Sequence, residues 1–554
     1  MHSKTTRFSR HALPVAVAVA AALLAGCTGS AGSTGAAPGR PSPAGFAGTT
    51  PAPAPTTAQT PATAPSPVTA STPAPAPTGE AAPALKPFYG QQIAWAPCAD
   101  APAAGKADGP VVQCGTLKVP LDYANPAGDT MAVAVVRVLA AKQDQRVGSL
   151  LVNPGGPGGS GVNMVKNNPQ QFDGPLHDRF DTVGFDPRGV GLTTPLNCLD
   201  DRTRDEWVTT DTPGTDHGKV LADACQARFG TLLPFIGTRN TARDMDVLRA
   251  VLGDPKLNYL GLSYGTYLGS LYAEEFPDRV GRLVLDGAVD PALPLVEHNI
   301  AQYAAFERSL KAFAADCATK SVCPLGKDPA KAAEKLADFL DGLKAKPLTT
   351  SSGRKLTASA AWTGMVDSLY GDEQGWESLR NDIGWAMVRD KGDYLLARAD
   401  SANRRDKEGR YSGSVDAYTA IHCADGATEV PTGEALQAAY AGLAAKAPLF
   451  TRHDPNFALF DPDCRVWPFR STEKAHPIAS RSDATILVVG STGDTATPYA
   501  SAESLAAELG HAVLLTREGE GHTGYGHSAC IRTAVHAYLV DGTVPAAGTR
   551  CQSD

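Results

Sequence analysis

A serine set between glycines, Gly261-Leu262-Ser263-Tyr264-Gly265, is the group in this chain best placed for covalent chemistry. A short apolar run, Leu257-Asn258-Tyr259-Leu260, precedes it, and a helical pattern over 266–276 follows. That order predicts a sharp strand-to-helix turn that pushes the Ser263 hydroxyl out of the backbone. Glycines flank such a turn because a side chain there would strike the neighbouring strand or helix. A serine hydroxyl attacks well only when a base takes its proton and a third group orients that base. Two later stretches supply these groups. Thr485 to Gly490 predicts a buried strand that delivers Asp494, ahead of Thr497 and Pro498, which read as an N-cap and a first-turn proline. Ala512 to Thr516 predicts another strand, which leads through a Gly-rich loop to His522. Asp483 precedes its strand and so falls at the wrong end of the sheet. His527 is the rival base, and the shorter path from the strand favours His522.

Attack on a carbonyl also needs two N–H donors for the developing oxyanion. One is expected from Tyr264, the residue after the nucleophile. The other is expected from Gly156, in Asn153-Pro154-Gly155-Gly156-Pro157-Gly158-Gly159-Ser160-Gly161, which follows the apolar run Ser149-Leu150-Leu151-Val152. A phosphate-binding loop would want a Lys after the glycines, and none is there. Ser, then Asp after a long gap, then His is the chain order of the α/β-hydrolases. The chemistry expected is acyl transfer through an acyl-enzyme on Ser263, with no cofactor. No C-x-x-C pair or H-E-x-x-H helix points to a metal.

These residues need elements to hold them. Thr130 to Leu139, Asp181 to Asp186 and Arg282 to Leu285 read as strands, and 241–252 as a helix with Thr241 and Asp244 as a capping box. Alternating strands and helices predict a mostly parallel, doubly wound α/β sheet, with the reactive loops at the carboxyl ends of its strands. Between 292 and 420 the pattern turns to Ala- and Leu-rich helices, with helical spacing over 311–315, 329–343 and 359–369. The body therefore divides into a core over 87–291, a helical cap over 292–420 and the rest of the core over 421–554.

The N-terminus has another job. Lys4, Arg7 and Arg10 precede an apolar run from Leu13 to Leu24 that is short for a membrane span. It ends in Leu24-Ala25-Gly26-Cys27, which reads as a lipoprotein signal over 1–26 with lipid placed on Cys27; the alternative is an ordinary signal peptide cut near Ala25. Residues 27–86 are mostly Ala, Pro, Thr, Ser and Gly with almost no charge or aromatics, a composition that predicts an extended tether without a core. Of the 11 cysteines, removing Cys27 leaves ten, an even set that suits disulfides in an exported protein. Sequential pairing is the simplest assignment: Cys98–Cys114, Cys198–Cys225, Cys317–Cys323, Cys423–Cys464 and Cys530–Cys551. The net charge of −8, with no basic stripe, argues against nucleic acid as a partner.

Taken together, the chain resembles secreted tripeptidyl aminopeptidases in the prolyl-aminopeptidase-like group of α/β-hydrolase serine peptidases. The likeness rests on Asn153 to Gly161, Gly184-Phe185-Asp186-Pro187-Arg188-Gly189-Val190-Gly191, Asp244 to Arg249, Tyr259 to Gly265 and Leu285-Asp286-Gly287-Ala288-Val289-Asp290-Pro291. It continues through Ala420-Ile421-His422-Cys423-Ala424-Asp425, Gly493 to Pro498, Gly521-His522 and Ser528-Ala529-Cys530. The resemblance implies an exported, lipid-anchored peptidase that releases tripeptides from peptides with a free N-terminus. A carboxylesterase acting on short acyl esters is the alternative, since the same three residues serve both. A peptidase of this kind needs an acid for the substrate ammonium, and the cap offers Asp372 and Glu373. Asp286, Asp425 and Glu520 are further candidates. Asp186 with Arg188 reads as a structural salt bridge, and Tyr267 and Trp376 as packing residues.

Overall fold

In the computed structural model, the described residues are 82–99, 111–210, 217–426, 431–453, 464, 466–469 and 473–554. Residues 1–81 lie outside them, and with them the signal segment expected over 1–26, the lipid expected on Cys27 and most of the tether expected over 27–86. Among the described residues regular structure begins at Pro83, and Leu85 is fully buried in the core.

The strands among the described residues are β1 (Ala96–Pro97), β2 (Val112–Pro120), β3 (Thr130–Val138), β4 (Gly148–Asn153), β5 (Phe180–Phe185), β6 (Leu257–Leu262), β7 (Val280–Asp286), β8 (Leu348–Thr349), β9 (Lys355–Leu356), β10 (Ile486–Gly493), β11 (Ala512–Glu520) and β12 (Arg550–Gln552). Ten of them form one sheet in the order β1-β2-β3-β5-β4-β6-β7-β10-β11-β12, while β8 and β9 pair as a separate hairpin. Pairing is antiparallel from β1 to β5 and parallel from β5 to β12. This is the α/β-hydrolase fold expected from the alternation of elements.

Every residue of β4 and β5 is buried, as expected for parallel strands covered by helices on both faces. Adjacent residues on β4 feed opposite sides. Leu151 packs with Val183, Tyr259 and Leu283, whereas Leu150 and Val152 pack with Leu260, Val284 and the helix Ala529–Asp541. The pleat alone explains this division, because successive side chains point to opposite faces.

Parallel register also lines up the strand ends. Asn153 pairs with Gly261, Leu262 with Asp286, Asp286 with Val489, and Gly493 with Glu520. The loops after β4, β6, β7, β10 and β11 therefore open side by side at one edge.

The helical insertion starts with Leu295–Thr319 and continues through Pro329–Ala345, Ala358–Ser368, Trp376–Arg389 and Asp393–Ala402. It has its own apolar cluster, with Phe306, Phe313, Leu336, Leu340, Trp362 and Phe450. The boundary placed at residue 420 does not hold. Helix Ser414–Gly426 runs through it and buries Ala417, Ala420, Ile421 and Cys423 in the main core. Two later helices, Gly433–Lys446 and Pro448–His453, return Leu443 and Phe450 to the insertion's cluster, with Ala447 between them. Alternation of core and cap segments cannot be read from composition, because both are Ala- and Leu-rich.

The helix expected over 241–252 begins earlier, as Thr238–Val251, and its N-cap Gly237 has no side chain to cap it. The Thr238 N–H instead donates to the distant Asp425 at 2.7 Å. A carboxylate fits there because the first helical amides lack intrahelical acceptors and the helix dipole is positive at that end. All five sequential cysteine pairs are joined. Arg188 pairs with Asp244 rather than Asp186, at 2.7 and 2.8 Å, and is fully buried. Asp186 accepts from the Ser160 hydroxyl and the N–H groups of Val162 and Leu192. No helix among the described residues is long and apolar enough to cross a membrane.

Candidate active site

Ser263 stands between β6 and the helix Tyr264–Glu275, with φ 56° and ψ −127°. A non-glycine residue held at positive φ costs about 1–3 kcal/mol and persists only where its surroundings fix it. Here the Ser263 N–H donates to the Asp286 carbonyl at 2.8 Å, and the Ser263 carbonyl accepts from Thr266 N–H at 2.7 Å. A Cβ on Gly261 would lie 2.4 Å from the Gly265 carbonyl oxygen, so the close turn requires glycine there.

Beside this turn lies the Gly-rich loop. Gly155 and Gly156 have φ of 87° and 115°. A Cβ on Gly155 would sit 2.4 Å from the Leu262 carbonyl oxygen and 3.1 Å from Tyr264 N. The loop backbone is thus pressed against the amide expected to donate to an oxyanion, and Gly156, Ser263 and Tyr264 line one pocket.

Asp494 is fully buried, and each oxygen has fixed donors. Oδ1 accepts from Ala496 N–H at 2.9 Å and Thr497 N–H at 2.8 Å, and Oδ2 accepts from Thr523 N–H at 3.1 Å. His522 Nδ1 lies 2.9 and 3.0 Å from the two oxygens. Burial would raise the Asp494 carboxyl, but the charge and hydrogen bond of His522, helped by the backbone donors, hold it below its ordinary value. Burial likewise opposes the imidazolium of His522, but Asp494, with Asp286 behind it, outweighs this and raises the histidine above its ordinary value. Nε2, at the other end of the ring, is buried with no hydrogen-bond partner. An unpaired buried nitrogen of this kind suits a group that exchanges a proton with substrate or nucleophile.

Sequence reasoning missed three neighbours of His522. The Tyr370 carbonyl accepts its backbone N–H at 2.9 Å, and the Tyr370 ring meets the imidazole edge-on at 5.5 Å. The Thr497 hydroxyl, expected to cap a helix, lies 3.3 Å from Nδ1. Helix Tyr499–Glu508 takes Pro498 as its N-cap instead. Arg517, fully buried, donates to the Glu520 and Gly521 carbonyls at 2.6 and 2.8 Å and so holds the loop that carries His522. Tyr370 comes from the helical insertion, and no spacing in the sequence could pair it with residue 522.

The candidate amine acids separate clearly. Asp372 pairs with His527 Nδ1 at 3.0 Å, which also occupies the rival base. Glu373 faces a surface depression with Arg380 and Lys320. Neither lines the pocket at Ser263, because their loop lies behind His522 against Gly521. Asp286 is buried under the turn, accepts from Gly524 and Tyr525 N–H, and is pushed up to about 6 by burial. Glu520 is taken up by the Ser309 hydroxyl at 2.6 Å. Asp425 does line the pocket, together with Asp290, which sequence reasoning did not single out. Tyr267 lines it too while packing against the main core, whereas Trp376 packs edge-on against Phe313 in the insertion. No group of three or more His, Cys, Asp or Glu suited to a metal occurs among the described residues.

Fold and site together define a serine hydrolase of the α/β-hydrolase class. Residues 455–551 match the family described as TAP-like protein. The chain is 37% identical to serine protease Hip1 of Mycobacterium tuberculosis over 496 residues, covering 84% of this chain and 92% of the relative. It is 39% identical to carboxylesterase B of the same organism over 479 residues, covering 84% and 91%. It is 31% identical to the tripeptidyl aminopeptidase of Streptomyces lividans over 459 residues, covering 79% and 83%. The chain belongs to the tripeptidyl aminopeptidase-like group of α/β-hydrolase serine peptidases.

Proposed function

We propose that this protein is an exported, lipid-anchored serine peptidase that releases tripeptides from free N-termini through an acyl-enzyme on Ser263. In this reading His522 takes the Ser263 proton and later returns it to the leaving amine. Asp494 fixes the imidazole with its proton on Nδ1 and steadies the imidazolium. The Gly156 and Tyr264 N–H groups receive the oxyanion. Water, activated by the same histidine, then cleaves the acyl-enzyme. The observation that carries the peptidase reading is the pocket itself. It places carboxylates, Asp290 and Asp425, beside the Ser263 turn, where a substrate ammonium can be held. An ester substrate has no use for them. The relative named carboxylesterase B, at 39% identity, supports the second reading, a carboxylesterase using the same residues.

Export and anchoring rest on the basic and apolar N-terminal run and on Cys27, with the tether spacing the body from the membrane.

Hydrolysis of a free-amine tripeptidyl anilide, its N-acetylated twin and a short acyl ester tests the proposal, with Ser263→Ala as control. Cleavage of the free-amine peptide over the blocked one, lost in Ser263→Ala, is the expected result. Ester cleavage alone would replace the peptidase with a carboxylesterase. Activity retained in Ser263→Ala would remove the nucleophile assignment.

A further inference from the structure

The helical insertion reaches the catalytic loops from outside the sheet. Its first helix, Leu295–Thr319, sends Gln302 to the Ala496 carbonyl at 2.7 Å, Arg308 to the Asp494 carbonyl at 3.1 Å and Ser309 to the Glu520 carboxylate at 2.6 Å. The turn after helix Ala358–Ser368 goes further. The Leu369 carbonyl accepts from the Thr495 hydroxyl at 3.3 Å, and the Tyr370 carbonyl accepts from the His522 N–H at 2.9 Å. Leu369 is itself buried in the insertion's apolar cluster, and the Tyr370 ring packs on Phe306 at 5.4 Å as well as on the imidazole. These two carbonyls therefore belong to the insertion and travel with it.

The core holds the His522 loop on either side. Arg517 fixes the carbonyls of Glu520 and Gly521, while Asp494 and Asp286 take the N–H groups of Thr523, Gly524 and Tyr525. Between these holds, the N–H of the base itself goes to the insertion. Gly521 allows the approach. It has φ 103°, and a Cβ there would lie 3.0 Å from the Gly371 carbonyl and from Asp372 N. Asp372 then closes the contact. Its Oδ2 accepts from His527 Nδ1 at 3.0 Å, and its Oδ1 accepts from Gln374 N–H at 3.1 Å. Gln374 adds a second bridge, since its side-chain amide donates to the Asp554 carbonyl at 3.0 Å and the Asp554 N–H donates to the His527 carbonyl at 3.1 Å. Neither Asp372 nor His527 lines the pocket at Ser263.

We propose that turn 369–375 is a positioning element for the base, clamped to the His522 loop by the Asp372–His527 pair, so that His522 is aligned for proton transfer only while the insertion is seated on the core. Access to the pocket and alignment of the base are then coupled in one movement. The proposal rests on Ser263 as nucleophile and His522 as base, and it holds for a peptide or an ester alike. A misplacement of about 1 Å can cost on the order of 10²-fold in rate. Loss of the clamp leaves the Tyr370 bond in place, so a smaller loss, roughly 10-fold, is expected. The side chains of His527 and Asp372 are 26% and 19% exposed, and a pair so placed adds little to stability. Its removal should therefore spare the fold and still move the base.

The experiment uses the full chain as wild type, Asp372→Ala, His527→Ala, the double variant and His527→Asn, whose amide nitrogen falls near the Nδ1 position. Three readouts are taken: kcat and KM on a free-amine tripeptidyl p-nitroanilide and on p-nitrophenyl acetate, thermal unfolding, and the rate at which diisopropyl fluorophosphate modifies Ser263. That small probe needs the base, because the Ser263 proton must leave as the oxygen–phosphorus bond forms and fluoride departs, and it needs no peptide pocket. Expected are falls of roughly 10-fold in kcat and in the phosphorylation rate for each Ala variant, with KM within about twofold. The double variant should lose no more than either single one, and His527→Asn should regain most of the activity. Unchanged rates in folded Ala variants would overturn the proposal, as would losses confined to KM or losses that multiply in the double variant. If the Ala variants do not fold, His527→Asn is set against His527→Gln, whose amide extends past the Nδ1 position. An active Asn variant beside an impaired Gln variant supports the clamp, and equal activity refutes it. Activity or modification retained in Ser263→Ala would overturn the nucleophile assignment itself, a result distinct from failure of the clamp alone.

Discussion

Replacing Asp494 by Asn tests the chemistry of the site with little change in shape. The two carboxylate oxygens accept from Ala496, Thr497 and Thr523 N–H and from His522 Nδ1. The amide oxygen of Asn is best kept where two backbone donors meet, so the NH2 falls at the Oδ2 position. It then faces Thr523 N–H, leaving a buried donor unpaired at a cost of about 1–3 kcal/mol. It also offers His522 Nδ1 a donor instead of an acceptor. The ring answers by carrying its proton on Nε2, the nitrogen that must be empty to accept from Ser263. A wrong tautomer of this kind costs on the order of 10⁴ in kcat, about 5.4 kcal/mol at 1.36 kcal/mol per decade. The assay is kcat and KM on a peptide anilide, with thermal unfolding in parallel. KM should stay within a few-fold, because Asp494 is fully buried and does not meet substrate. The pH profile supplies a second readout. Asp494 raises His522, and the base works only when neutral, so the wild-type acid limb should fall above the ordinary histidine value and move to lower pH in the variant. A loss of less than tenfold in kcat, in a protein that still folds, would refute the assignment of Asp494 as the group that orients the base.

Gly155→Ala should lower kcat by on the order of 10²-fold for peptide and ester alike, because a Cβ 2.4 Å from the Leu262 carbonyl oxygen must push the oxyanion loop away from the turn. Substrate-dependent losses would contradict that origin. Arg188→Ala should cost about 3–5 kcal/mol of stability in denaturant unfolding, since it leaves the buried Asp244 carboxylate without its cation. KM should not change in the fraction that folds. Cys27→Ala should move the protein from the membrane fraction to the soluble one, measured by fractionation and blotting. Continued sedimentation with membranes would remove the lipid anchor.

Much of the site was legible because its chemistry is local. Ser263, Asp494 and His522 each stand within two residues of a strand's carboxyl end, and parallel strands must end at one edge, so spacing along the chain already implied proximity. The same locality made the Gly155-Gly156 loop readable, since only residues lacking a Cβ tolerate that approach. The even set of ten cysteines made a sequential pairing plausible, and the fold joins those pairs. What lay across the molecule was not legible. Asp372 and Glu373 looked suited to an ammonium because they are adjacent acids in the helical insertion, yet the loop that bears them packs behind His522. Asp425 caps a helix that starts 187 residues earlier in the chain, and Arg188 chose Asp244 over the nearer Asp186. Sequence by itself determined the sheet and which residues stand at the carboxyl ends of its strands, Ser263, Asp494 and His522 among them, because strand periodicity and turn chemistry act over a few residues. Only the tertiary structure decided which acid faces the pocket and which cap residue touches the base, because those pairings depend on how helices without distinctive spacing pack against a sheet.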